Sequence, residues 1–335
     1  SLPTQQKEPF LVTLPVPYDA LQVSAGHAHT CVIVDANQNN VVCWGANDEH
    51  QVGASHINGG EPRPPIRVTD FNPALRLSMV AAGQSHTCAA DEGGAVVFCW
   101  GADSSGQLGN DSVLDPSIET PQQVGRSFSG VMVLSAGAKH NCVVDSLNTY
   151  CWGENNDYQL GNNTQSDGLE PVCLTCSGDL NYSSIACGEF HTIGVGIGLE
   201  GQLLGWGDNE SMVNGNTDAN TTYQVPTDSP IHNASTVCTS HRHSCIVNLA
   251  GAIECWGRGN EGQLGDGMSH PVEPVSPQDT ALVSHSTVFE MVTCGEYHTC
   301  AIDADRRLWC WGENVDGQLG NPTVLDQSDL PIEVE

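Results

Sequence analysis

Cys294-Gly295-Glu296-Tyr297-His298-Thr299-Cys300, then a short variable stretch, then Cys310-Trp311-Gly312-Glu313-Asn314-Val315-Asp316-Gly317-Gln318-Leu319-Gly320: this run decides the fold, because it is one of six. Its relatives occupy approximately residues 21–53, 79–109, 133–161, 184–215 and 236–265, with 291–320 closing the series. The period is about fifty to fifty-seven residues, enough for four short strands and their turns. No long apolar stretch has helical spacing, and Gly and Pro punctuate every segment. Within a repeat, Val-x-Ala-Gly-x-x-His-Thr-Cys reads as an innermost strand pair. A variable hairpin such as Asp35 to Asn40 follows, then an apolar strand ending at Cys-Trp-Gly, and Gly-Gln-Leu-Gly as a tight turn. Pro-containing segments such as Pro65 to Val68 and Thr120 to Val124 suit outer strands, which need not donate every N–H.

Joined in this order, Cys-Trp-Gly-x-Asn-x-x-Gly-Gln-Leu-Gly and Ala-Gly-x-x-His-Thr resemble the repeat of the regulator of chromosome condensation family, from about Leu11 to the C-terminus. The resemblance implies an all-β fold, a β-propeller of four-stranded antiparallel blades. Six Trp-Gly motifs predict six blades, with a seventh, degenerate one as the alternative. The expected organisation is one domain over 1–335, preceded by an extended segment over 1–18. Edge-strand sequence stands at both ends, Leu11 to Leu14 and Leu330 to Val334. One of them is expected to complete a terminal blade, and the other to be left as a pairing edge.

Ten of the fifteen cysteines pair by repeat: Cys31 with Cys43, Cys88 with Cys99, Cys142 with Cys151, Cys245 with Cys255, and Cys300 with Cys310. Each pair brackets a hairpin, so its members face each other across antiparallel strands, about 4.5 Å apart at Cα and within disulfide reach. Repeat four has lost both partners together, carrying Ile193 and Gly205 in their places. Zinc fits less well, because its sites favour Cys-x-x-Cys knuckles converging from two loops. Cys173 and Cys176 read as a local bridge, and two of Cys187, Cys238 and Cys294 as a bridge between blades. Disulfides on this scale place the chain in an oxidising compartment, secreted or extracellular. Since Ser1-Leu2-Pro3-Thr4 does not open a signal peptide, an exported protein is here a processed form or an internal segment. Asn-x-Ser/Thr acceptors at Asn110, Asn162, Asn181, Asn209, Asn220 and Asn233 agree with a glycoprotein.

Charge removes several functions. Ten Lys and Arg oppose forty Asp and Glu, a formal charge of -30. Such a field repels phosphate backbones and anionic membranes, and no stretch nears the roughly 20 apolar residues needed to span a bilayer. Nucleic acid and membrane insertion are excluded on these grounds. The histidines recurring in every repeat, His29, His86, His140, His191, His243 and His298, read as structural, each imidazole bonding a neighbouring backbone group. Trp44, Trp100, Trp152, Trp206, Trp256 and Trp311 read as wedges between blades. The turns Asn47-Asp48-Glu49 and Asn155-Asn156-Asp157 offer oxygen ligands for calcium but lack the spacing of a known loop, and read as solvated turns, so no cofactor is assigned.

No nucleophile elbow, phosphate loop or zinc-protease helix appears. The family's namesake activity, nucleotide exchange on a nuclear GTPase, sits badly with disulfides, and the Gly-Trp-Arg-His-Thr motif of its plant photoreceptor is absent. The expected function is a non-enzymatic extracellular module that binds proteins or builds an assembly, with Pro9 to Tyr18 pairing to a neighbouring subunit. The alternative is a secreted inhibitor or ligand-binding propeller acting through one face, as in a bacterial β-lactamase inhibitor with similar repeats. The non-repeat aromatics Tyr18, Tyr158, Phe190 and Tyr297 are too sparse to choose between them.

Overall fold

Strands in each repeat pair with their sequence neighbours, a split outer edge in the fifth repeat aside, because short turns leave antiparallel hairpins as the local solution. The computed structural model describes residues 12, 14, 19–36, 40–54, 63–69, 71, 75–111, 116–176, 181–198, 200–219, 221–268, 270–277, 281–283, 287–324 and 326–334. Among them stand six antiparallel sheets, the blades of a six-bladed β-propeller fold. Blade 1 is β1 (Ala20–Ala25), β2 (His29–Val34), β3 (Val41–Gly45) and β4 (Arg63–Arg67). Blade 2 is β5 (Leu77–Ala82), β6 (His86–Asp91), β7 (Val97–Ala102) and β8 (Ser117–Gln123), and blade 3 is β9 (Val131–Ala136), β10 (His140–Asp145), β11 (Thr149–Gly153) and β12 (Gly168–Cys173). These three belong to one compact unit, Val12–Asn181.

Tyr182–Glu335 belongs to the other unit. Its blade 4 is β13 (Tyr182–Cys187), β14 (His191–Gly196), β15 (Leu203–Gly207) and β16 (Tyr223–Asp228), with a 3₁₀ turn over Glu210–Met212. Blade 5 is β17 (Ala234–Thr239), β18 (His243–Asn248), β19 (Ile253–Gly259) and an outer edge split into β20 (His270–Val275) and β21 (Ala281–Leu282). Blade 6 is β22 (Phe289–Cys294), β23 (His298–Asp303), β24 (Leu308–Glu313) and β25 (Gln327–Glu333). The C-terminal edge sequence therefore completes its own blade, pairing Cys310 with Ile332. Of the N-terminal segment, Leu14 packs against Val32, Val34, Ala36 and Val42 of blade 1, and most of 1–18, including Tyr18, lies outside the described residues.

The register sets each cysteine pair directly across a hairpin. Cys31 faces Cys43, Cys88 faces Cys99, Cys142 faces Cys151, Cys245 faces Cys255 and Cys300 faces Cys310, all joined as disulfides with Cα atoms 4.1 or 4.2 Å apart. In blade 4 the same positions hold Ile193 opposite Gly205, and a Cβ at 205 would overlap the Asn214 carbonyl oxygen, so no cysteine fits there. Cys173 bonds Cys176, and Cys238 of blade 5 bonds Cys294 of blade 6, which leaves Cys187 buried and outside the disulfides. One residue on from each tryptophan, the glycine of Trp-Gly adopts φ between +88° and +105°. At Gly45 a Cβ would come within 2.5 Å of the Ala28 carbonyl oxygen, so the close approach of two turns requires glycine.

Apolar wedges fill the seams inside each unit. Val52, Val68, Phe71, Val80 and Trp100 join blades 1 and 2, and Leu108, Val124, Phe128, Val143 and Trp152 join blades 2 and 3. Ile193, Val195, Val237 and Trp256 do this for blades 4 and 5, and Leu264, Val283, Val292 and Trp311 for blades 5 and 6. Trp100, Trp152, Trp206, Trp256 and Trp311 are fully buried, whereas Trp44 of blade 1 is half-buried. Val23 of β1 is 67% exposed although Val80, Val237 and Val292, its counterparts, are buried.

Candidate functional site

Among the described residues, recurring polar side chains brace blade 1 to blade 2, blade 2 to blade 3, blade 4 to blade 5 and blade 5 to blade 6. In blade 1 the Gln51 carbonyl accepts two hydrogen bonds from blade 2, from Thr87 Oγ1 at 2.8 Å and Trp100 Nε1 at 3.0 Å. Thr87 has thereby spent its proton, so it accepts from His29 Nε2 at 2.8 Å, which fixes the histidine with its proton on Nε2. Blades 2 and 3 repeat this with Asn141: it donates to the Gln107 carbonyl and accepts from His86, and Trp152 donates to the same carbonyl. Thr299 and Trp311 donate to Gln263, and His243 donates to Thr299. Where blade 5 has Ser244 in the threonine position, Thr239 is inserted: His191 to Thr239 to Ser244 to the Val213 carbonyl.

For His29, His86, His191 and His243 this corrects the expected partner, which is the next blade's side chain and not a backbone group. Burial pushes His29 and His86 down to about 4, and His140 and His243 down to about 3, with a neighbouring histidine adding to the effect for three of the four. They are therefore neutral at pH 7. His298 is lowered too, again by burial. His29, His86, His191 and His243 are thus consumed in holding blades together.

What differs between blades lies beside the braces. The residue before each histidine accepts, through its carbonyl, the N–H of the residue after Trp-Gly: Ala46 to Ala28, Ala102 to Ser85, Glu154 to Lys139, Asp208 to Phe190, Arg258 to Arg242 and Glu313 to Tyr297. One bond thus presents two side chains per blade in the same geometry. In blades 1 and 2 those side chains are small. Blade 3 has the pair Lys139–Glu154, 3.7 Å apart. Blades 4 to 6 present Phe190 and Asp208, Arg242 and Arg258, Tyr297 and Glu313, all partly exposed.

Between blades 4 and 5, Phe190, Asp208 and Arg242 line a cleft with Glu210, Ser211 and His241. Phe190 meets the His241 ring edge-on at 6.4 Å, and His241 Nδ1 lies 2.9 Å from Glu189. Arg258 reaches back to Ser211 Oγ at 3.0 Å and to Glu210 at 3.2 Å. Ser211 and Met212 both adopt positive φ, 63° and 59°, in succession, a costly conformation for two non-glycine residues. Towards blade 6, burial and the neighbouring carboxylates of Glu261, Asp316 and Glu296 raise the Glu313 carboxyl, and a hydrogen bond to Glu296 raises the Tyr297 phenol.

The other expected site residues separate clearly. Asn209 was expected as a glycan acceptor, but it is fully buried, and its amide donates to the Asn216 and Asp218 carbonyls. Asn233 is exposed, Asn110, Asn162 and Asn181 are partly exposed, and Asn220 lies outside the described residues. Asn47 and Asn155 brace their turns, each Oδ1 accepting a backbone N–H five residues on and each amide donating to loop oxygens. Arg242, Arg258, His241 and Glu189 went unread in the sequence. Stacking the six repeats on their histidines and comparing the two preceding positions would have exposed all but Arg258.

The RCC1-like domain matches residues 1–335. The human regulator of chromosome condensation is 30% identical over 341 residues, covering 94% of this chain and 77% of that protein. The Arabidopsis thaliana ultraviolet-B receptor UVR8 is 27% identical over 321 residues, covering 93% and 69%. The structure of yeast RCC1 (Prp20) bound to Kap60 superposes with a TM-score of 0.79 at 20% identity, covering 94% of this chain and 75% of that chain.

Proposed function

Because the chain belongs to the RCC1-like domain family, we propose that it is a non-enzymatic protein-binding scaffold, that it works outside the cell, and that its partner docks on the turns of blades 4 to 6. One observation carries this: equivalent turn positions hold Ala28 and Ser85 in two blades but Phe190, Arg242 and Tyr297 in three others, on identical backbone supports. Aromatic and arginine side chains are the types that dominate binding energy at protein interfaces. The yeast relative bound to Kap60 supports a protein as the class of partner. Seven disulfides support the extracellular setting, since such bonds persist in oxidising compartments. The exposed glycan acceptor at Asn233 and the partly exposed one at Asn162 suit the same setting.

The test is a binding comparison on protein produced through a secretory pathway. A triple variant, Phe190→Ala with Arg242→Ala and Tyr297→Ala, is expected to lose at least 100-fold in affinity for the captured partner, about 2.7 kcal/mol. Undiminished binding would reject the surface. Free thiols at the hairpin cysteines of the secreted protein would reject the setting.

A second reading, self-assembly through blade 1, is favoured by Val23 and the half-buried Trp44, which leave apolar surface on that blade. Val23→Glu with an unchanged oligomer in light scattering would remove it. The inhibitor reading uses the blade 4–5 cleft and predicts loss of ligand capture in Phe190→Ala alone.

A further inference from the structure

One row of residues sets blade 5 apart. In every blade the last but one residue of the first strand stands opposite the first cysteine position of the hairpin. The pairs are Ser24 with Cys31, Ala81 with Cys88, Ser135 with Cys142, Ala186 with Ile193, Cys238 with Cys245 and Thr293 with Cys300. Only blade 5 puts a cysteine there, so Cys238, Cys245 and Cys255 follow one another across β17, β18 and β19. Cys238 nonetheless bonds to the neighbouring blade. Between blades 1 and 2 the equivalent positions are Ser24 and Ala82, and Ser24 Oγ accepts the Ala82 N–H at 2.9 Å. Between blades 2 and 3 they are Ala81 and Ala136, and between blades 4 and 5 Ala186 and Thr239. Cys238 and Cys294 put a covalent bond in this place, the only disulfide joining two blades among the described residues.

The bond lies at the foot of two turns of the partner surface. Arg242 follows Cys238 by four residues, and Tyr297 follows Cys294 by three. The first turn is closed by Ser240 N–H to the His243 carbonyl at 3.0 Å, the second by Gly295 N–H to the His298 carbonyl at 2.8 Å. Cys294 is partly exposed and Cys238 is buried, as are nine of the ten hairpin cysteines, Cys300 being the tenth. Attack by a thiolate depends on access, so an outside thiol meets this bond at Cys294. Behind it, the sulfurs of Cys238, Cys245 and Cys294 all lie within 4.8 Å of one another. Cys245 belongs to the hairpin bond with Cys255, so two disulfides stand a short side-chain movement from exchange.

We propose that Cys238–Cys294 is a clasp that a thiol can open, that it holds the Arg242 and Tyr297 turns at a fixed spacing, and that Cys245 takes up Cys238 when it opens. A small thiol of the glutathione class, as thiolate, attacks Cys294 Sγ. A mixed disulfide forms on Cys294, and Cys238 leaves as a thiolate. Cys238 Sγ then attacks Cys245 Sγ: the Cys238–Cys245 bond forms, the Cys245–Cys255 bond breaks, and Cys255 leaves as a thiolate that takes a proton. Each step exchanges one S–S bond for another, so no oxidant is needed. The seam keeps its apolar wedge and the His243–Thr299 hydrogen bond throughout, so blades 5 and 6 stay packed while the two turns gain freedom. That the clasp governs recognition rests on the partner surface proposed above; that it opens and exchanges does not.

The full chain is incubated with graded reduced glutathione, quenched with iodoacetamide and mapped by mass spectrometry. Expected are glutathione on Cys294, alkylation of Cys255 and a linked Cys238–Cys245 peptide, at concentrations that leave the hairpin bonds of blades 1 to 3 intact. Opening of those bonds at the same concentration, or alkylated Cys238 with no link to Cys245, would overturn the exchange. Cys238→Ser with Cys294→Ser removes the clasp without reductant. In hydrogen exchange this double variant is expected to lose protection over 239–243 and 295–298 and to keep it over 83–86 and 188–191. Equal protection in variant and wild type would overturn the clasp. Should the double variant not fold, glutathione-treated wild type supplies the same comparison. In the binding comparison above, the double variant is expected to bind the captured partner about tenfold more weakly, its two turns being less preorganised. Full affinity here beside a loss in the triple variant would keep the partner surface and overturn the clasp's hold on it. Full affinity in both would reject the surface, and the mapping and hydrogen exchange would still decide the clasp.

Discussion

Blades 1 and 2 and blades 5 and 6 are built by the same rules and present different surfaces. In both pairs a histidine donates to the next blade's threonine, the threonine and a tryptophan share one turn carbonyl, and a disulfide spans the central hairpin. Beside that shared machinery, Ala28 and Ser85 give way to Arg242 and Tyr297. The difference teaches that stability and surface chemistry are separable here: recurring positions carry the first, and the positions between them are free to vary.

If the machinery is truly shared, equivalent lesions should cost the same in either pair. Trp100→Ala and Trp311→Ala, both at fully buried indoles, should each cost about 4 kcal/mol in denaturant melts, and a wide inequality would break the equivalence. Replacing Cys88 and Cys99 together by Ala should cost about 3 kcal/mol, as should Cys300 with Cys310, because each hairpin closes a loop of similar length.

The histidines predict a pH dependence of defined sign. Their folded pKa lies below the unfolded value of 6.5, so their contribution is complete above pH 6.5 and is lost as pH falls toward 4. His86 alone should account for about 3 kcal/mol over that window. Since Asp103 gains stability in the same window, its folded pKa being raised, the histidine effect is read as a difference. His86→Gln should flatten the fall between pH 6.5 and 4, and an unchanged slope would contradict the buried neutral imidazole. Smaller still, Thr87→Val and Thr299→Val should each cost about 2 kcal/mol, the histidine N–H losing its acceptor.

Much of this was legible in the repeats. Six Trp-Gly motifs give six blades, and cysteines bracketing a hairpin give the disulfides, because register in an antiparallel pair follows from a short connection. Repeat four marked itself as divergent through Ile193 and Gly205, and the blade 4–5 cleft indeed begins in its altered turn. The partner of each histidine was not legible, because it lies one blade away in a bond between side chains of distant sequence. For the same reason Cys238 and Cys294 needed coordinates before either could be chosen over Cys187.

The six equivalent turn positions supply their own controls for the central claim. A photo-crosslinking amino acid is placed in turn at positions 28, 85, 139, 190, 242 and 297, and the full chain is irradiated in a mixture of extracellular proteins. Adducts with one protein, confined to 190, 242 and 297, are the predicted result. Equal labelling at all six, or adducts at 28 and 85 alone, would contradict the assignment of recognition to blades 4 to 6.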